Sequence, residues 1–182
     1  MSPESSNPGY AWLMYSLLTV VSWGVYGIFL HSGQMNMADP VNGRYKAFLF
    51  VGIAYFLTAV LAPLAVLLAK GASWSYPGAG MAWSLVAGIV GAIGAFGVLL
   101  AFGAKGTPAV VMSIVFAGAP VVNAVYSLWL HPPAGGLKNI PVPFFVGILL
   151  AALGGCLVTY FKPNPPPKKP GVVAMGTAAA KI

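Results

Sequence analysis

Long apolar stretches alternate with short polar segments along the whole chain. Five stretches of 21 to 23 residues contain no charged side chain, at residues 10–30, 47–69, 81–103, 108–130 and 141–161. At a rise of about 1.5 Å per residue, a helix of this length crosses the roughly 30 Å hydrocarbon core of a bilayer. The stretches do not alternate apolar and polar positions as the strands of a membrane barrel do. The pattern predicts an all-α integral membrane protein, built as a bundle of five transmembrane helices.

The composition excludes an ordinary soluble domain. Hydrophobic residues make up 59% of the 182-residue chain and charged residues only 6%, whereas soluble domains carry about 25% charged residues. A chain of this size in water would expose apolar patches that soluble monomers avoid. Much of its surface is therefore expected to face lipid.

The basic residues predict an orientation. With the amino terminus outside, seven of the nine basic residues lie on the cytoplasmic side and two lie outside, Lys70 and Lys138. Cytoplasmic loops carry the excess of Lys and Arg in most membrane proteins. We therefore expect an inner-membrane protein with a short extracytoplasmic segment at residues 1–9 and a cytoplasmic carboxyl terminus. Membrane lipids account for the net charge of +7, so no nucleic-acid partner is expected.

The last segment of the chain, residues 162–182, differs from the rest because it is rich in Pro and Lys. Its first part, residues 162–170, is predicted to adopt an extended polyproline conformation. Two interpretations remain open. The segment is either a cytoplasmic tail whose lysines lie near anionic headgroups, or a strap that docks on another subunit.

No constellation of catalytic residues is recognisable in the sequence. Both acidic residues, Glu4 and Asp39, lie outside the predicted spans, and the two histidines, His31 and His131, are one hundred positions apart. Cys156 is the only cysteine, which excludes an intramolecular disulfide. The sequence therefore predicts neither an enzyme nor a metal site or bound cofactor.

Polar side chains recur at helical spacing on two predicted helices. Trp23 and Tyr26 are on the first, and Ser113, Asn123 and Ser127 are on the fourth. Such faces turn inward in a membrane bundle, where they either bond helix to helix or line a polar cavity. These five residues are the candidate substrate-binding residues.

Two stripes of small residues predict close helix packing. Gly88, Gly91, Gly94 and Gly97 recur at every third position, and Gly147, Ala151 and Gly155 at every fourth. Small side chains let the backbones of membrane helices approach one another. Both stripes are therefore expected to contact neighbouring helices.

The small-residue pattern also resembles that of a known family. Residues 91–105, a tight turn, residues 109–119 followed by Pro120-Val-Val, and residues 147–155 are similar to the EamA-type repeat of the drug/metabolite transporter superfamily. The resemblance covers residues 10–161 and implies a five-helix repeat, two of which, inverted, build a ten-helix transporter. Because one repeat is present, transport would require a homo- or hetero-oligomer with another membrane subunit.

The sequence departs from that family at its carboxylates. The region after the fourth predicted helix reads Trp-Leu-His-Pro-Pro at residues 129–133, and the first predicted helix contains no glutamate. The leading hypothesis is thus a half-size drug/metabolite-type transporter subunit for a small polar or amphipathic solute, without proton coupling. The alternative is a non-transporting structural or accessory subunit of a larger membrane complex.

Overall fold

A computed structural model of the protein describes residues 10–163. Within this range the chain contains no strand, and five helices are long and apolar enough to cross a membrane. They are α1 (Ala11–Asn36), α2 (Gly43–Ala69), α3 (Gly78–Gly103), α4 (Pro108–Leu130) and α5 (Val142–Tyr160). The predicted all-helical architecture with five such helices is therefore confirmed. The predictions for residues 1–9 and for residues 164–182 of the tail fall outside the described residues.

Three helices extend beyond the uncharged stretches. Helix α1 continues to Asn36, α2 begins at Gly43, before Arg44, and α3 begins at Gly78. The predicted bounds follow the apolar stretches, but a helix does not have to end with its apolar stretch, because its own hydrogen bonds continue into the more polar segment. The connections are consequently short.

The α1–α2 and α3–α4 connections each contain a residue with left-handed backbone geometry. Ala38 has a φ of 51° and Lys105 a φ of 69°. After α3, the N–H of Gly106 donates to the carbonyl of Ala101, and the N–H of Lys105 donates to that of Phe102. This pair of bonds is the Schellman arrangement that ends many helices. Both connections therefore reverse the chain within a few residues.

Helix α2 contains a π-type segment at Leu57–Leu61, two residues before Pro63. Proline has no N–H to donate, and its ring clashes with the carbonyl four residues earlier in a regular helix. A wider π turn moves that carbonyl aside. The proline thus gives a physical reason for the interruption of α2.

The helices converge at one end of the molecule only. The end of α1, the start of α2, the end of α3 and the start of α4 meet there, and we call this region the packed end. Its core is formed by six buried apolar side chains: Leu30, Val98, Leu99, Phe102, Val111 and Met112. Gly27 lies so close to Met112 that a Cβ would come within 2.5 Å of its Cγ atom.

Toward their opposite ends, the first three helices have no buried side chains. We call residues 11–22, Leu57–Ala69 and residues 78–94 the open half, and none of them is buried. Leu57–Ala69 contacts no other described helix. Helix α5 also has no buried residue, and among the described helices it packs on α4 alone. The chain therefore covers only a small part of its own apolar surface.

Candidate solute cavity

A cavity of about 770 Å³ lies between α1, α4 and α5. We call it the α1/α4/α5 cavity. Helix α1 contributes Gly24 and Ile28, and α4 and α5 supply most of the wall. The remaining lining residues are Pro108, Ala109, Met112, Ser113, Phe116, Ala117, Leu150, Ala151, Gly154, Gly155 and Val158. Its volume lies in the range of small-molecule sites.

A close contact between α4 and α5 shapes this cavity. A Cβ on Gly155 would collide with the Cβ of Ala117 and would lie 3.2 Å from the carbonyl oxygen of Ser113. The neighbouring Gly154 lines the same cavity, yet a Cβ there would meet nothing within 4 Å. Gly155 therefore sets the distance between the helices, whereas Gly154 leaves space inside the cavity.

Ser113 is the polar side chain of this cavity. Its hydroxyl donates to the carbonyl of Ala109 in the same helix, at 2.6 Å. A hydroxyl that donates in this way still has lone pairs with which to accept. The rest of the lining is apolar. The cavity thus offers one hydrogen-bond acceptor in an apolar surrounding, which suits an amphipathic molecule.

Asn123 and Ser127 lie outside this cavity, further along α4. At about 100° per residue, Ser113, Phe116, Asn123 and Ser127 fall on one face of the helix. The rise per residue separates Asn123 from Ser113 by about 15 Å. The amide of Asn123 is exposed and has no hydrogen-bond partner among the described residues. The face of α4 that lines the cavity therefore continues beyond the cavity, where it carries the amide of Asn123 and the hydroxyl of Ser127.

Trp23 and Tyr26 lie together on α1, with their ring centroids 5.4 Å apart. Tyr26 packs against the core of the packed end and does not line the α1/α4/α5 cavity. It lines a second cavity of about 450 Å³ between α1 and α2, together with Tyr55. Its hydroxyl oxygen is buried and lacks a partner within residues 10–163. The structure therefore separates the two aromatic candidates from Ser113.

Sequence reasoning missed several residues that shape these cavities. Gly27 and Met112 fix the contact between α1 and α4, and Tyr55 faces Tyr26 across the smaller cavity. The sequence could have indicated the close contact at Gly27, because this glycine follows Tyr26 on the polar face of α1. The glycine stripe on α3 does not make the predicted contact with a neighbouring helix. A Cβ added at Gly88, Gly91, Gly94 or Gly97 would have no described atom within 4 Å.

The ionisable groups are few and scattered. In the part of the chain that the structure describes, no group of three or more His, Cys, Asp or Glu side chains could hold a metal ion. His31 packs edge-on against Phe102, with the ring centroids 5.4 Å apart. The lining of the α1/α4/α5 cavity contains no charged side chain.

Comparison with known proteins adds no family to this description. No protein-family model, no curated protein and no solved structure matches the chain. The resemblance to the EamA-type repeat rests on the residue pattern alone and remains a prediction.

Proposed function

We propose that this chain is a half-size transporter subunit of the drug/metabolite type, which moves a small polar or amphipathic solute across the inner membrane. The observation that carries the proposal is the uneven packing of the bundle. Its helices converge at the packed end, the open half has no buried residue, and a cavity of about 770 Å³ lies between α1, α4 and α5. In transporters built from repeats, the solute binds between the repeats near the middle of the membrane, and one repeat moves against the other around that site.

A single copy leaves this cavity incomplete. Helix α5 packs on α4 alone among the described helices, so the cavity has no outer wall. A second membrane subunit, either another copy or a different chain, would supply that wall. Both acidic residues of the sequence lie outside the spans, so the proposed cycle includes no proton-coupled step.

Filling the cavity tests this function directly. Gly154→Leu adds a side chain inside the cavity, and Gly147→Leu adds the same side chain to α5 at a position that also has no atom within 4 Å but does not line the cavity. In proteoliposomes, ethidium and radiolabelled alanine represent amphipathic and small polar solutes. We expect Gly154→Leu to lower the uptake of the transported probe at least roughly ten-fold, while Gly147→Leu leaves it unchanged. Equal uptake by the two variants would refute a transport role for this cavity.

A second candidate function is that of a non-transporting structural or accessory subunit. The observation that favours it concerns the hydroxyl side chains within the spans. Five of them bond to carbonyls four residues earlier in their own helices: Ser16, Thr19, Thr58, Ser113 and Thr159. A hydroxyl bonded in this way has no donor left for a solute and can only accept. Purification in a mild detergent separates the candidates, because unrelated subunits that co-purify favour the accessory role and a homodimer favours transport.

The proposed orientation places the packed end toward the cytoplasm, because the connections at residues 37–42 and 104–107 adjoin Arg44, Lys46 and Lys105. The open half would then face outside. In a Cys156→Ser background, a cysteine at Ser73 should react with an impermeant reagent in intact cells, and one at Thr107 only after permeabilisation. The reverse pattern would invert the proposed orientation.

A further inference from the structure

The packed end contains a separate cavity of about 600 Å³, which we call the loop cavity. It lies where α1 ends and α2 begins, and Gly103 of α3 forms part of its wall. The full lining is Gln34, Met35, Ala38, Asp39, Pro40, Val41, Arg44 and Gly103. Unlike the α1/α4/α5 cavity, it has a cation, a carboxylate and an amide in its wall.

Arg44 is held in this cavity by its contact with α3. A Cβ on Gly103 would come within 2.5 Å of Nη1 and 3.0 Å of Cδ, so the side chain lies directly on the glycine. The guanidinium carbon also lies 4.9 Å from the ring centroid of Tyr45. The Nε atom is buried and has no hydrogen-bond partner among the described residues. A permanently charged donor in this setting calls for an acceptor.

Gln34 supplies a second unsatisfied group. Its Oε1 atom is buried and also lacks a partner within residues 10–163. A half-turn of the amide presents its two N–H donors in place of the oxygen. The loop cavity therefore contains a charged donor and an adaptable amide, both without protein partners in the described structure.

Asp39 does not neutralise Arg44. One oxygen of its carboxylate accepts the backbone N–H of Asn42 at 2.8 Å and that of Val41 at 3.0 Å. The other forms an ion pair with Lys46 at 2.6 Å. Lys46 thus neutralises the charge of the Asp39 carboxylate, and the charge of Arg44 stays available to a ligand.

We propose that the loop cavity binds a phosphate group through Arg44 and Gln34, and that the group belongs to the headgroup of an anionic phospholipid. The planar guanidinium matches the geometry of phosphate oxygens. The cavity lies at the junction of a connection with two spans, the depth at which headgroups lie, and basic pockets between membrane helices are suited to them. This inference does not depend on the transport proposal.

Native mass spectrometry of the full chain tests the site. The protein is titrated in a neutral detergent with phosphatidylglycerol, and in parallel with a monogalactosyl diacylglycerol, which carries no phosphate. We expect the chain to retain phosphatidylglycerol preferentially. Arg44→Gln should weaken this binding roughly ten-fold or more, the loss expected for one charge-assisted hydrogen bond. Gln34→Leu should weaken it less.

Two control variants separate the site from general effects. Gly103→Ala displaces Arg44 without removing its charge and should also lose the preference, whereas Gly97→Ala adds a methyl group to the same helix in open space. Lys138→Gln removes one exposed charge elsewhere. If Arg44→Gln and Gly103→Ala bind phosphatidylglycerol as tightly as Lys138→Gln and Gly97→Ala, the proposal is wrong.

A titration with inorganic phosphate distinguishes a lipid headgroup from free phosphate as the source of the bound phosphate group. If inorganic phosphate stabilises the detergent-solubilised chain against heat in an Arg44-dependent way while phosphatidylglycerol is not preferred, the site belongs to free phosphate and the lipid assignment is wrong. A preference for the phospholipid with no effect of inorganic phosphate supports the headgroup. Gln34→Leu keeps the test informative if Arg44→Gln fails to fold, because it leaves the contact between Arg44 and Gly103 in place.

Discussion

The two halves of α3 are both apolar and rich in Gly and Ala, but they have different surroundings. Leu99, in the packed end, is completely buried, whereas Leu85, in the open half, is 66% exposed. The first is enclosed by helices of its own chain, whereas the second is not covered by the described residues. A membrane helix therefore need not be packed evenly along its length, and a functional change of shape is easiest where the chain packs least.

The largest effect on stability is expected from truncating Leu99, and Leu85 is its matched control. Leu99→Ala should lower the free energy of unfolding by about 2–5 kcal/mol, because it leaves a cavity in the core. Leu85→Ala should change it by less than about 0.5 kcal/mol, since surrounding lipid or detergent fills the space. Unfolding in mixed micelles, followed by tryptophan fluorescence, measures both. Similar losses for the two variants would mean that the open half is covered, most simply by a second subunit.

The α4–α5 pair can be broken at Gly155. Gly155→Ala places a methyl group on Ala117 and near the Ser113 carbonyl, so α5 has to move, at a cost of about 1–3 kcal/mol. Gly154→Ala is the matched control, because its methyl group points into open space. The same unfolding assay compares the two. Equal stability would show that α5 is not held against α4 in the bilayer.

The variant Asn123→Leu tests whether the face of α4 that lines the cavity also lines the solute passage at Asn123. Because its amide has no partner among the described residues, Asn123→Leu should change the stability of the isolated chain by less than about 0.5 kcal/mol. If the amide lines the passage, the variant should nevertheless lose uptake in proteoliposomes. A stability loss of roughly 0.6 to 2 kcal/mol with unchanged uptake would instead identify an interhelical hydrogen bond.

The smallest effect concerns the α1–α2 connection at the packed end. The backbone N–H of Asn42, assisted by Lys46, lowers the pKa of Asp39 from 3.8 to about 2. A lowered folded-state pKa stabilises the fold above the unfolded-state pKa, and this contribution is lost as the pH falls through the interval from 3.8 to about 2. Carboxyl chemical shifts of Asp39 measure the titration. Lys46→Met should raise the pKa only in part, since the Asn42 bond remains, and a complete return to 3.8 would contradict this ranking.

The number and type of helices could be predicted because an uncharged apolar run of 21 to 23 residues has only one economical structure in lipid. The uneven packing could not be read from the same runs, since Leu85 and Leu99 look alike in the sequence. A weaker signal was available in the connections. At the packed end, residues 37–42 and 104–107 form shorter connections than residues 70–77, which join α2 and α3 in the open half, and short connections hold helix ends together.

The candidate site was predictable only as faces of single helices. Helical spacing brought Trp23 next to Tyr26 and aligned Asn123 with Ser127. It could not indicate that Tyr26 turns toward α2 while Ser113 faces α5, because the rotation of each helix about its own axis is fixed by its neighbours. The contacts at Gly27 and Gly155 fix that rotation for α1 and α4. The sequence shows a small residue at each position, but only the structure shows which residue it meets.

The π-type segment of α2 has a consequence for any molecule that contacts this helix. A π turn holds one residue more than an α turn, so every side chain after Leu61 is rotated by about 100° relative to an uninterrupted helix. The stripe that faces α1 and α3 before Leu57 therefore does not continue in line through Leu64 and Leu68. Helix α2 presents two surfaces that are out of phase by about a quarter turn, and a partner that follows the whole helix has to change direction at Pro63.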